Sequence, residues 1–484
     1  MAIGLYTSRV ILATLGAEDY GINNIVGGFV SMLSLFTVSL GNATSRFITY
    51  ELGTGNKEKL KDTFSTISTL IIILSLIVFF LGETAGVWLC KRYLIIPADR
   101  WNVAIYCFHC SIITFIVNLL ALPYQSVISA HEHFNFYAIV EIGNALFKLV
   151  IAWTIMYSPF DKLGTYATLI AAVSIIIRII YSIYSSKYFE ETKSQFKVNK
   201  TIFKEIAVYS GWVTIGASSA ILKEQGVNVF INIFFGVIMN AARGISMQVL
   251  GIVNQFANNI ATAIQPQITK SYASGNLQRS INLTFVLAKA KGIMIIFIAL
   301  PIAIEADCIL HLWLGEIPDN TVIFVVWALI TCYARALEDT HGPLFLAIGK
   351  IRNLQLVGGG IMLLNLPLSY LFLKLGYPAI VTMKIGVCIE FFVMLIAYMF
   401  LKYLVQFPVM RFYKEAILPQ IVIIIIAYIP SIYINNKLPE PSFIRLLINA
   451  SICCSLTVVG TYIILLNKKE RLMLTNLVRS KLRK

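Results

Sequence analysis

Residues 16–56 read GAEDYGINNIVGGFVSMLSLFTVSLGNATSRFITYELGTGN, and residues 236–276 read GVIMNAARGISMQVLGIVNQFANNIATAIQPQITKSYASGN. At a constant offset of 220, Gly16 falls on Gly236, Ile25 on Ile245, Phe36 on Phe256 and Ala43 on Ala263. Ile48-Thr49 then falls on Ile268-Thr269, and Gly55-Asn56 on Gly275-Asn276. About eight identities in 41 positions is little above chance for apolar sequence, so the percentage carries no weight. The placement does. Each copy starts at a glycine that ends one apolar span, runs through a long helix and stops at a polar Gly-Asn turn. A membrane chain made of two like halves is the usual plan of a transporter, with its substrate path between the halves.

Composition sets the solvent. Of 484 residues, 58% are hydrophobic and 13% charged, with a mean hydropathy of +0.78, which excludes an ordinary soluble domain. Runs such as Ile71 to Leu81, Tyr166 to Tyr184 and Pro419 to Ile432 belong to segments long enough to cross a bilayer. In lipid every backbone amide must be satisfied within its own segment, so these spans are helices, and their richness in Ile, Val and Phe carries no β meaning. Eight cysteines are scattered. Cys107 and Cys110 have CxxC spacing but lie in the apolar stretch Val103 to Leu122 with no second pair, so neither a redox nor a metal role is read from them. No cofactor is expected. The first segment lacks a basic start and carries Arg9 in its middle, so it reads as a mature span rather than a cleaved signal.

The pattern predicts an all-α integral membrane protein of about 14 transmembrane helices, near 1–15, 21–46, 64–88, 101–122, 135–157, 165–188, 206–236, 240–268, 282–304, 320–342, 355–373, 378–401, 416–433 and 443–466. These divide into an N-terminal six-helix half (1–188), a linker (189–205), a C-terminal six-helix half (206–402), two additional helices (403–466) and a basic tail (467–484). An even number of helices before the linker makes the halves parallel repeats. The first helix is short: fifteen residues reach about 22 Å against a core of about 30 Å, so Met1 reads as an internal start or as the edge of lost turns.

Charge in the connections sets orientation. With the amino terminus inside, about 22 basic residues lie in inner connections, among them Lys57, Lys59, Lys61, Lys350 and Arg352, against about six outside. Glu18, Asp19, Glu305, Asp307, Glu316 and Asp319 fall on the outer side. Both termini are therefore expected in the cytoplasm. The net charge of +15 is explained by this bias and by anionic lipid, without nucleic acid. The tail, with leucines between basic residues, reads as an interfacial amphipathic helix. Connections are too short for a soluble catalytic domain, so no enzyme is expected.

Ionisable side chains within spans are costly and face a partner or a wet cavity. Arg9, Lys148, Arg178 and Lys223 lie nearest mid-span, and Arg46 and Arg243 lie near helix ends, where snorkelling to the headgroups is the alternative. Lys289, Lys291, Arg335, Glu338, Asp339 and Lys384 fall within spans as well. Glu141 and Lys148, seven apart, share a helix face and are candidates for an ion pair; Arg335 with Glu338 or Asp339 invites the same reading. Cations outnumber carboxylates, and guanidinium forks suit phosphate oxygens, so the lumen points to an anion. Glu141, Glu224 and Glu390 are candidate ion-coupling groups. The Asn and Gln residues of 21–46 and 240–268 favour a polar lumen face, while close helix packing accounts for the glycines.

At Leu5-Tyr-Thr-Ser-Arg9-Val, Leu15-Gly-Ala-Glu-Asp-Tyr-Gly21, Ala43-Thr-Ser-Arg46-Phe, Asn240-Ala-Ala-Arg243-Gly, Gln265-Pro266-Gln-Ile and Ala347-Ile-Gly-Lys350-Ile-Arg352-Asn the chain resembles the Wzx-type flippases of bacterial O-antigen and surface-polysaccharide assembly. They share a superfamily with the multidrug and toxin extruders and the lipid II flippases. The resemblance implies a MATE-like fold in the bacterial inner membrane. It also implies alternating-access transfer of an undecaprenyl-pyrophosphate-linked oligosaccharide, its pyrophosphate held by a cationic lumen that includes Arg9, Arg46 and Arg243. Membrane lipids are further partners, and a polysaccharide polymerase and a chain-length regulator are candidate ones. A cation-coupled multidrug extruder is the nearest rival, but helices 1 to 4 hold essentially no mid-span carboxylate for coupling. A glycan polymerase should expose a large outer loop, which this chain lacks.

Overall fold

The computed structural model of the protein describes residues 2–193, 198–348, 351–438, 440, 442–468 and 470–472, and all regular structure among them is helical. Ten of these helices are long and apolar enough to cross a membrane, which makes the chain a multi-pass membrane protein. The chain forms two compact units, Met1–Ala242 and Arg243–Lys484. This division by packing differs from the division by repeat, which counts the helix before residue 236 with the second half.

In the first unit, α1 (Ala2–Ser31) and α2 (Ser34–Thr54) are followed by α3 (Lys57–Leu81), a π-helical turn (Gly82–Gly86) and α4 (Val87–Tyr93). Then come α5 (Trp101–Ala130), α6 (Phe134–Thr154), α7 (Lys162–Tyr188), α8 (Lys200–Phe235) and the start of α9 (Val237–Ala273). Side chains from α1, α5, α6 and α7 meet around Ile25, Phe108, Ile112, Ile155 and Leu163, all almost fully buried. A second cluster gathers Leu40, Phe64, Ile67, Leu119 and Tyr181. Lipid is as apolar as these side chains, so the helices are held by close packing and buried polar contacts more than by the hydrophobic effect.

The repeat appears as backbone geometry. Gly16 bends α1 at φ 76°, ψ 171°, and Gly236 separates α8 from α9 at φ 78°, ψ −171°. That region is open essentially to glycine alone. Thirty-nine residues on, Gly55 ends α2 at φ 72° and Gly275 ends α9 at φ 79°. The next residue caps the following helix in both copies: Asn56 Oδ1 accepts from the Lys59 amide and Asn276 Oδ1 from the Arg279 amide, each at 3.0 Å. The copies are not identical, because α1 and α2 are separated at Met32-Leu33, whereas α9 runs unbroken.

In the second unit, α9 leads to α10 (Leu277–Ile304), α11 (Ala306–Leu314), α12 (Thr321–Glu338) and α13 (Gly342–Ile348). α14 (Ile351–Leu363), α15 (Asn365–Lys374) and α16 (Val381–Val405) follow. α17 (Val409–Phe412), α18 (Leu418–Lys437) and α19 (Phe443–Gly460) complete the unit. Its core stacks Phe285, Tyr398, Phe407 and Phe412. Two differences from the sequence reading matter. The outer connection after α10 contains a helix, α11, which buries Ala306, Cys308, Leu310 and Leu314 and is too short to span. The third span, expected to end at 88, continues through its π-helical turn to Tyr93, so Glu83 in that turn lies further from the helix end than expected. The expected tail helix lies, beyond Leu472, outside the described residues, as does Lys350.

The start of α5 and the start of α7 are tied to α1 by one guanidinium. Arg100 Nε and Nη2 donate to the two carboxylate oxygens of Asp19 at 2.8 and 2.5 Å, and Nη1 donates to Asp161 Oδ2 at 2.6 Å. Asp161 also caps α7, accepting from the Gly164 amide at 2.9 Å. Burial works to raise the Asp161 carboxyl, but the Arg100 hydrogen bond, the Gly164 amide and the guanidinium charge outweigh it and hold it below the ordinary carboxylate range. A depressed carboxyl contributes stability above its unfolded pKa and loses it as pH falls through the folded value. Arg100→Gln is therefore expected to lower the melting temperature at pH 7, with the gap to wild type narrowing at pH 3, below the ordinary carboxylate range. Melts of purified protein at the two values check this, and an equal gap at both would mean that the carboxylate charge contributes nothing.

Candidate functional site

The sequence-derived cations fall into different environments. In the first unit, Arg9 is exposed on α1 and lines a cavity of about 500 Å³ with Tyr6, Thr14, Met156 and Lys162. Arg46, expected near a helix end, is exposed in the interior of α2, its guanidinium 4.6 Å from the ring centre of Tyr209 and 5.8 Å from that of Phe47. Lys148 is exposed on α6 with Glu141, and no ion pair joins the two among the described residues. Glu141 instead accepts from the Tyr181 hydroxyl at 3.3 Å. Lys223 is 7% exposed within α8, and Glu224 beside it is half-buried.

Arg178 is half-buried in the middle of α7, 5.7 Å from the ring centre of Tyr124, and its Nε is buried with no hydrogen-bond partner. Buried guanidinium nitrogens are nearly always bonded, so this one marks a place where an acceptor is wanted.

In the second unit, Arg243 is 4% exposed, which removes the snorkelling alternative, and its Nη1 donates to Met383 Sδ at 3.7 Å. Beyond its own helix, where a pairing was expected, Arg335 reaches a carboxylate on another. Arg335 Nε lies 3.6 Å from Glu390 Oε1 on α16, while Asp339 lies 3.6 Å from the Lys291 ammonium on α10. Spacing along one helix shows which groups share a face; it is silent on which neighbour that face meets. Glu390, a candidate coupling group, is 1% exposed and therefore sits against a cation rather than in open space. Lys289, also buried, pairs with Glu470 at 3.0 Å.

Three polar assemblies were not legible beforehand. Glu83 Oε2 meets His109 Nδ1 at 2.7 Å, so the first unit does carry a carboxylate inside a helix. π-helical turns within helices recur at functional sites, and this pair sits beside one. Glu305 and Arg445 form a buried bidentate pair. Asn24, Asn228 and Asn240 are chained: Asn240 Nδ2 donates to Asn228 Oδ1 at 2.9 Å, and Asn228 Nδ2 to Asn24 Oδ1 at 3.3 Å. Part of the amide density read as a polar lumen face thus serves contacts between α1, α8 and α9.

No family model matches the chain. Among curated proteins it is 20% identical over 327 residues to the uncharacterized membrane protein EpsK of Bacillus subtilis (strain 168), a match over 65% of this chain and 62% of that relative's length. Among solved structures it aligns with the lipid II flippase MurJ in an inward closed conformation at a TM-score of 0.70 and 13% identity, over 96% of each chain. It aligns with an inward-facing multidrug resistance MATE family transporter of the MOP superfamily at 0.66 and 15% identity, over 82% of this chain and 93% of that one. The fold is the one these transporters share. A MOP superfamily transporter from Pyrococcus furiosus, described by the reverse polarity of its binding pocket, aligns at 0.55 and 14%, over 82% of this chain and 94% of that one. The all-helical architecture expected from the sequence, and the MATE-like fold that the resemblance implied, are present, and these neighbours are transporters and flippases.

Proposed function

We propose that the protein flips undecaprenyl-pyrophosphate-linked oligosaccharide from the inner to the outer leaflet of the bacterial cytoplasmic membrane, by alternating access, for surface polysaccharide assembly. The observation that carries the reading is Arg178, a mid-span guanidinium with a buried nitrogen that has no hydrogen-bond partner. A pyrophosphate oxygen is the acceptor such a group suits, and Arg binds phosphate through two parallel bonds. Lys223, buried in the first unit, and Arg243, buried in the second, are further cargo-binding candidates, with Arg9, Arg46 and Lys148. The Wzx-type resemblance supplies the glycan, and the lipid II flippase among the structural neighbours supports a lipid-linked cargo. Both termini lie in the cytoplasm by the charge bias of the connections. The halves that move are 1–188 and 206–402, with 403–466 outside the repeat. A polysaccharide polymerase and a chain-length regulator would take up the product on the outer side. Glu141, Glu224 or Glu390 would couple transport to a proton or sodium gradient.

The test is surface glycan in the bacterium that carries this gene, with the chromosomal copy deleted and variants supplied in trans. Arg178→Gln, Lys223→Gln and Arg243→Gln are each expected to insert normally and to cut export at least about tenfold, the effect of losing roughly 1.4 kcal/mol of charge-assisted contact. Full export by all three would show that the charges are structural and would end the cationic-lumen reading.

A further inference from the structure

The cavity beside Arg9 has a chemistry of its own. One wall is a face of α1 carrying Tyr6, Arg9 and Thr14; the other is the turn from α6 to α7, carrying Met156 and Lys162. The Lys162 ammonium reaches the Thr14 carbonyl at 3.5 Å, just before the Gly16 bend, where a helix presents carbonyls left without intrahelical partners. Two cations thus line a space of about 500 Å³ with no carboxylate among its lining residues. Asp161 beside Lys162 binds Arg100, as does Asp19, and Glu18 is exposed on α1 and is not among the lining residues. Lys162 itself has no ion pair among the described residues.

The surroundings fix the depth of the cavity. Trp153, Met156, Tyr157 and Phe160 are all exposed, from 48% at Trp153 to 85% at Tyr157. Trp and Tyr exposed together at the end of a span mark the headgroup level of a bilayer. Arg9 stands about 10 Å below the Gly16 bend at 1.5 Å per residue, within reach of the same level through its long side chain. Basic pockets between helices at that level hold lipid phosphates.

We propose that Arg9 and Lys162 form a binding site for the phosphate of a membrane lipid, at the outer-leaflet level in the orientation given above. The ligand class is a phosphate carried on an acyl or prenyl chain, with the headgroup between the two cations and the chain along the exposed apolar end of α6. Two sources share this chemistry, a bilayer phospholipid and the lipid carrier of the cargo. For the second source the site rests on the flippase reading and would serve the cargo on release; for the first it stands without it.

Native mass spectrometry of the full-length protein in detergent separates the two. The probes are phosphatidylglycerol, undecaprenyl pyrophosphate and, as a phosphate-free control, diacylglycerol. Lys162→Gln and Arg9→Gln are each expected to weaken retention of a lipid phosphate about tenfold without affecting diacylglycerol, and Lys162→Arg to restore it. Arg100→Gln, which frees Asp161 to neutralise Lys162, should weaken it too. A loss confined to undecaprenyl pyrophosphate assigns the site to the cargo carrier. A loss for phosphatidylglycerol, alone or with it, assigns it to bilayer lipid or to lipid phosphate in general. Unchanged retention of both phosphates in folded Lys162→Gln, an exposed position that tolerates substitution, overturns the proposal. Normal binding here with no export by wild type would sink the transport reading alone.

Discussion

Gly21→Val is expected to leave almost no folded protein in the membrane. A Cβ at Gly21 would stand 2.0 Å from the backbone oxygen of Val237 and 2.7 Å from its carbonyl carbon. Backbone cannot swing aside as a side-chain tip can, so α1 would have to part from the start of α9. Overpacking of this kind costs at least about 3 kcal/mol, much of the margin on which a fold depends. Two neighbouring glycines grade the effect. A Cβ at Gly28 would meet the Asn228 and Gln225 amide tips at 2.7 and 2.8 Å, which can rotate at the expense of the Asn chain, and one at Gly27 would meet nothing within 4 Å. Gel filtration of fluorescently tagged protein should rank Gly27→Ala near wild type, Gly28→Ala intermediate and Gly21→Val largely aggregated. A monodisperse Gly21→Val peak of normal height would mean that α1 and α9 do not approach as described.

That ranking shows where sequence reading reaches and where it stops. Three glycines within eight residues of a span imply close helix packing, and the structure agrees, but nothing in the letters distinguishes Gly21 from Gly27. The repeat was legible for a physical reason. Gly16 and Gly236 occupy a backbone region that other residues avoid, and Gly55-Asn56 and Gly275-Asn276 perform the same two tasks, ending one helix and capping the next. Such positions survive in weakly similar copies because side-chain identity matters there, whereas apolar positions between them accept any residue that packs. Helix ends were less legible. Charged first turns such as Lys57-Glu58-Lys59 lie outside the apolar run that defines a span, yet belong to the same helix.

The candidate site was legible by type and not by partner. Counting ionisable residues in spans found Arg178, Lys223, Arg243 and Glu390, because burial of such groups is rare enough to be informative. It could not find the Arg335–Glu390 or Lys291–Asp339 pairs, since each joins helices far apart in sequence. Lys162 was missed for another reason: a lysine in an outer connection looks like any solvated lysine until the α1 face opposite it is known. Glu83 lies inside the expected span 64–88 but close to its end, so it did not count as a mid-span carboxylate. The helix runs on to Tyr93, and the pairing with His109 leaves the absence of carboxylates a weaker argument against a coupled extruder than the composition of helices 1 to 4 implied.

The largest electrostatic effect is expected where α19 meets α10. Arg445 Nε and Nη2 bind the two oxygens of Glu305 at 3.0 and 2.9 Å, and Nη1 donates to the Leu438 carbonyl at 3.2 Å. Asn449 Nδ2 donates to Glu305 as well and to Asn435 Oδ1. Glu305 is 1% exposed, so removing either partner strands a charge out of reach of water. Glu305→Leu and Arg445→Met are each expected to cost about 3–5 kcal/mol, while the double variant should recover most of that, because two apolar side chains need no partner there. The same staple recurs down α10, where Gln420 Nε2 donates to the Ala288 carbonyl at 3.2 Å and Glu470 pairs with Lys289. The two helices outside the repeat are therefore fastened to the repeat along its length, not appended to it. Thermal unfolding of the two single variants and the double variant decides the point. Recovery in the double variant means that the pair sets which side chains the contact tolerates more than how strongly it holds. A double variant as unstable as the worse single one would mean instead that Asn449 and the Leu438 carbonyl depend on the ions for their own partners, and that the network acts as one unit.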